Sequence, residues 1–104
     1  MTKYLFVYHG GSAPDDPGEV AQIMQAWGDW FASLGGAVVD PGNPVGLSTT
    51  VNSDGSVTPN GGSNPASGYS IIEAATTEEA IERAKGCPIL AAGGSIELAE
   101  IIQM

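Results

Sequence analysis

Residues 68–98 constrain the fold more than any other part of the chain, because they encode a strand, a capped helix and a second strand in immediate succession. Gly68-Tyr69-Ser70-Ile71-Ile72-Glu73-Ala74 is a β-rich run. The helix follows over Thr76-Thr77-Glu78-Glu79-Ala80-Ile81-Glu82-Arg83-Ala84-Lys85. Thr76 is a good N-cap with Glu79 three residues on, and Glu79 and Arg83 form a favourable i,i+4 pair. Arg83 and Lys85 complement the helix dipole in the last turn, and Gly86 and Pro88 end the helix. Gly93-Gly94-Ser95-Ile96-Glu97-Leu98 starts the next strand, with Ile96, Leu98, Glu100 and Ile102 on one face and Glu97, Ala99 and Ile101 on the other.

The first half repeats the pattern. Tyr4-Leu5-Phe6-Val7-Tyr8 is apolar at every position and is bounded by Gly10-Gly11, which predicts a central strand buried on both faces. Asp16-Pro17-Gly18-Glu19 then supplies an N-cap, a proline at the first helical position and an acid at the third. Val20, Ile23, Met24, Trp27, Trp30, Phe31 and Leu34 recur at helical spacing as one apolar stripe, and Gly35-Gly36 ends the helix. Ala37-Val38-Val39-Asp40 predicts a short strand stopped by Pro41-Gly42-Asn43-Pro44. Leu47-Ser48-Thr49-Thr50-Val51 predicts another, turning at Asp54-Gly55 into a brief return over Val57-Thr58. Residues 59–67, almost all Gly, Asn, Ser and Pro, predict a mobile loop or lid.

The order β-α-β-β-(β)-β-α-β predicts an α+β fold of the ferredoxin-like, split βαβ kind, with two helices on one face of an antiparallel sheet. At 104 residues and 42% hydrophobic content the whole chain, 1–104, fits a single domain. Two helices cover one sheet face only, yet Leu5 and Val7 oppose Tyr4, Phe6 and Tyr8 on the first strand. A second copy, packed sheet to sheet about a two-fold axis, is the simplest cover, so a homodimer is expected. The net charge of −9, from 12 acids and 3 bases, argues against nucleic-acid and anionic-membrane partners. The single cysteine, Cys87, leaves no intramolecular disulfide, and no apolar run approaches the ~20 residues of a membrane helix. A soluble, cytoplasmic protein is expected.

The ordered set of these pieces resembles the YCII-related family, in particular its DGPF-domain branch. The likeness is carried by residues 4–8, Trp27 and Trp30 before Leu34-Gly35-Gly36, Asp54-Gly55-x-Val57-Thr58, residues 68–74, Glu79-Ala80-Ile81, Ala84, Cys87-Pro88 and Gly93-Gly94-Ser95-Ile96-Glu97. The resemblance implies a dimeric α+β barrel, in which two protomers enclose a cleft for a small organic molecule. It also implies an active-site His on the first helix and an Asp near the turn after the second strand. No His lies between residues 16 and 34, and Asp40 is the one residue that matches. The Asp-Gly-Pro-Phe motif itself is absent; Pro59-Asn60-Gly61-Gly62 occupies that part of the loop.

The chemistry-bearing candidates are few. His9, the only histidine, follows the first strand and is a candidate general base, sharing the side of Leu5 and Val7 by alternation. Asp40, at the end of the second strand, orients that imidazole if the two meet, and otherwise initiates the Pro41-Gly42 turn. Tyr8, Trp27 and Tyr69 are the aromatic residues expected at a ligand cleft, with core packing as the competing role for Trp27 and Trp30. No cofactor or metal is expected: Asn52-x-Asp54-Gly55 lacks the downstream Glu of a calcium loop, one His and one Cys make no zinc set, and Gly10-Gly11 has no phosphate-loop Lys. Two functions follow, a small-molecule-binding homodimer or a small lyase or isomerase that moves a proton with His9 and Asp40. A protein-interaction module using the acidic surface is a third.

Overall fold

Local capping works largely as the sequence dictates in the computed structural model, which describes residues 1–11, 15–62 and 64–104. Helix α1 spans Pro17–Leu34, and the Asp16 carboxylate accepts from the Gly18 amide at 3.3 Å. It ends at Gly35, whose φ of +57° few other residues adopt. Helix α2 spans Thr77–Ala84. The Glu79 amide donates to Thr76 Oγ1 at 3.1 Å, while the Glu79 carboxylate accepts from the Ala75 amide at 3.3 Å and from Arg83 at 2.7 Å. These bonds hold the Glu79 carboxyl below its ordinary range, Arg83 contributing most.

The strands are β1 (Thr2–His9), β2 (Val38–Asp40), β3 (Thr50–Val51), β4 (Val57–Thr58), β5 (Ala66–Ala74) and β6 (Ser95–Glu100). Four of them make one sheet in the order β2-β5-β1-β6, every neighbouring pair antiparallel. The chain is therefore an α+β protein with β1 at the centre of its main sheet, flanked by β5 and β6. The β3–β4 pair forms a separate two-stranded sheet.

One face of the main sheet is packed. Tyr4, Phe6, Tyr8, Ile72 and Ala74 are buried there with Trp30 and Ala80, and Ile96 and Leu98 close the flank. Trp30 donates its indole N–H to the Arg83 carbonyl at 3.0 Å, which fastens α1 to the end of α2. Trp27 meets Tyr8 edge-on at 5.0 Å and Phe31 stacks on Trp30 at 5.0 Å, so the aromatic stripe of α1 is mostly core. Val20 and Met24, on the first half of the same stripe, remain exposed.

Three expectations change. The run 47–51 contracts to Thr50–Val51, because Pro44 and Gly46 interrupt it and the chain bends at Leu47. Residues beyond Cys87 form an additional helical turn, α3 (Pro88–Ala91), in which Pro88 takes the first helical position instead of only ending α2. The segment 59–67 is not a free loop: Ala66 and Ser67 already belong to β5, and the described part before them is tied by side-chain bonds, with Ser63 outside the described residues.

Candidate functional site

The packed and open faces of the sheet separate the residues singled out from sequence. Alternation along β1 puts Lys3, Leu5, Val7 and His9 on the open face. The register places Tyr69, Val7 and Glu97 on one rung across β5, β1 and β6, and Ile71, Leu5 and Ala99 on the next. The open face is thus an aliphatic centre with His9, Glu97 and Tyr69 towards one end.

His9 is 8% exposed, because residues 64–65 lie over it. Its Nδ1 lies 2.9 Å from the Asn64 carbonyl and 3.2 Å from the Pro65 carbonyl, and its Nε2 lies 3.0 Å from Glu97 Oε1. A carbonyl only accepts, so the contacts assign a proton to Nδ1, which donates to this pair. The Nε2···Oε1 bond then needs a second proton, carried by the ring or by the carboxyl group. His9 and Glu97 therefore form a proton-holding pair. The Glu97 side chain is 74% exposed while that of His9 is buried, so the carboxylate is the end that a solute can touch.

Local sequence explains the arrangement. A register shift between Tyr8 and His9 against β5 brings His9 opposite Ala66 and beneath residues 64–65. Against β6 the register is regular, with His9 opposite Ser95, so Glu97 sits one diagonal step away. Gly94 is required here. A Cβ at that position would collide with the His9 carbonyl and the Ile89 side chain.

Asp40 is not part of this group. It aligns with Ile71, two strands from β1 and four residues down from His9, which strand spacing converts to roughly 15 Å. Its carboxylate accepts from the Gly42 amide at 2.8 Å, a turn-initiating role. The structure thus does not bring His9 and Asp40 together. Tyr8 and Trp27 lie together on the packed face, and only Tyr69 shares the open face with His9. Tyr8 donates to Ser70 Oγ at 2.7 Å, and Ser70 donates to the Pro41 carbonyl at 2.7 Å. Burial pushes the Tyr8 phenol well above its ordinary range, against a smaller opposing effect of the Ser70 bond. Burial likewise pushes the Cys87 thiol up to about 11, which makes it an unreactive packing group.

Glu97 is the site residue that sequence reasoning passed over. The signal was present. In the expected strand order the last strand lies antiparallel beside the first, so the start of Ser95-Ile96-Glu97 must fall beside His9. Two shallow grooves lie elsewhere, one among α2, α3 and β6 and one between α1 and the Lys85–Ala91 region, and neither contains His9 or Glu97. Among the described residues no group of three or more His, Cys, Asp or Glu is placed to hold a metal ion, and no helix is long and apolar enough to cross a membrane. No family model matches the chain, and no curated protein matches it.

Proposed function

We propose that this chain is a homodimeric, small-molecule-binding protein of the YCII-related, ferredoxin-like kind, in which the open sheet face is one wall of the ligand cleft. The observation that carries the reading is the His9–Glu97 pair at one end of an otherwise aliphatic face, with Tyr69 on the same rung as Glu97. A few convergent polar groups set in apolar surface are what a small-ligand site requires. The antiparallel order β2-β5-β1-β6 supports the split βαβ topology, and the uncovered Leu5, Val7 and Ile71 support a two-fold partner. A ligand with an aromatic or aliphatic body and one hydrogen-bonding group fits this chemistry. The reading needs no cofactor. A reducing cytoplasm suits the lone, buried Cys87.

A second reading, proton transfer on such a ligand, rests on the same pair. Glu97 is the exposed group that exchanges the proton, and His9, anchored at Nδ1, is the buried group that positions it. This replaces the His9–Asp40 version, which needs the two side chains in contact.

The test is a thermal-shift screen of small aromatic and carboxylic compounds, combined with sedimentation at micromolar concentration. The wild type should sediment as a dimer, and a ligand held at a hundred times its Kd should add about 2.7 kcal/mol of stability. Glu97→Gln should reduce that shift while leaving the unliganded melting temperature within a few degrees. A monomer, together with no stabilising compound, defeats the proposal. Turnover of a bound compound that Glu97→Gln abolishes without loss of binding selects the second reading.

A further inference from the structure

Beyond β2 the chain leaves the main sheet as a two-stranded ribbon. The Val45 amide donates to the Ser67 carbonyl at 3.0 Å, the Tyr69 amide donates to the Asn43 carbonyl at 3.2 Å, and Pro44 bridges Gly68. Further out Thr50 pairs with Thr58 and Val51 with Val57. The tip is shaped by its own polar groups. Asn52 Nδ2 donates to Ser56 and Thr58 oxygens at 3.0–3.2 Å, and the Asp54 carboxylate accepts from the Ser56 amide at 2.9 Å and from its hydroxyl at 2.6 Å.

This ribbon is ordered without burying its own aliphatic residues. Leu47 is 101% exposed, Val51 72% and Val57 62%. An isolated two-stranded ribbon is marginal in water, and uncovered aliphatic clusters mark contact surfaces. The ribbon does not cover its own sheet. Its inner rungs continue the plane of β5, and the protein is a flat body of 43 × 43 × 18 Å.

Charge selects the partner. Residues 41–67 hold one charged side chain, Asp54, so of the net −9 the remaining chain carries −9 − (−1) = −8. Two such bodies repel, and the ribbon is the long segment that approaches an acidic surface without like-charge opposition. A cationic foreign partner would instead seek the acidic surface outside the ribbon. Each chain carries one uncovered ribbon and one uncovered aliphatic sheet face, and a two-fold pair covers both on both copies.

We propose that the ribbon of one copy, residues 43–62, packs on the open sheet face of a second copy, seating Leu47, Val51 and Val57 against Leu5, Val7 and Ile71. The partner's ribbon then forms the outer wall of the His9–Glu97 site, which a lone chain leaves open. This rests on the homodimer reading above.

Two measurements test it. Leu47→Asp combined with Val51→Asp changes only exposed side chains, so the circular dichroism spectrum should be retained while the dimer dissociates at least about tenfold more readily. Separately, Leu47→Cys carrying a thiol-linked photocrosslinker, with Cys87 buried and silent, is mixed as labelled and unlabelled chains. Crosslinks should join different chains and map to β1 or β5. A wild-type dimer that the double variant leaves intact, or crosslinks confined to one chain or to the helices, overturns the ribbon proposal and leaves the homodimer standing. A wild-type monomer overturns both.

Discussion

The two faces of β1 are equally apolar in sequence and end in opposite surroundings. Phe6 is fully buried under the helices, whereas its neighbour Leu5 is 37% exposed on the open side. The difference teaches that an apolar run states how much burial a strand demands without stating what supplies it. On one side the chain supplies its own aromatic layer. The other side is left to something outside the protomer, and it is there, not in the well-packed half, that the proton-holding His9–Glu97 pair lies.

The sharpest way to break this contrast is to truncate both faces. Phe6→Ala should cost about 3–5 kcal/mol in urea unfolding. Leu5→Ala should cost less than about 1 kcal/mol at dilutions where the chain is monomeric, and more where it is dimeric. Equal effects at all concentrations would erase the distinction. Gly42→Ala probes the junction between the packed body and the ribbon. Gly42 has φ +70° and an added Cβ would strike the Tyr69 carbonyl, so a loss of about 2–4 kcal/mol is expected by chemical denaturation.

Tyr8→Phe tests the polar tie beneath the packed face. It deprives Ser70 of its donor but leaves the Ser70–Pro41 bond, and should lower stability by about 1–2 kcal/mol. The smallest effect is alkaline. The Cys87 pKa is raised from 9.0 to about 11 in the folded chain, so its contribution is fully present below pH 9 and is lost as pH rises through about 11. Melting curves across that window should fall less steeply for Cys87→Ala than for the wild type, and parallel curves would refute the assignment.

Legibility from sequence follows from where the determining forces act. The two long helices are readable because their boundaries are set by neighbours along the chain: Asp16 with Pro17, Thr76 with Glu79, and Gly35 at a positive φ. Helix α3 was masked because Pro88 stops one helix and starts another with the same side chain. Alternation placed His9 correctly with Leu5 and Val7, yet the partner of His9 lies 88 residues away and depends on strand order and register, which no local pattern encodes. Asp40 attracted attention as a lone acid at a strand end. Its carboxylate is spent two residues downstream, on Gly42. Tyr8, Trp27 and Tyr69 look alike as exposed-ring candidates, and only the parity of strand positions assigns the first to the core with Trp27 and the third to the open face.

The placement of β1 also has a consequence in time. Its neighbours β5 and β6 begin more than fifty residues later in the chain, with Tyr8 and Ser70 separated by 62 positions and His9 and Glu97 by 88. The most apolar strand is made first and paired last. During synthesis it stays without a ladder partner until the final third of the chain has emerged, so the sheet cannot assemble piece by piece. Such long-range closure slows folding, and a waiting apolar strand is a natural client for chaperones.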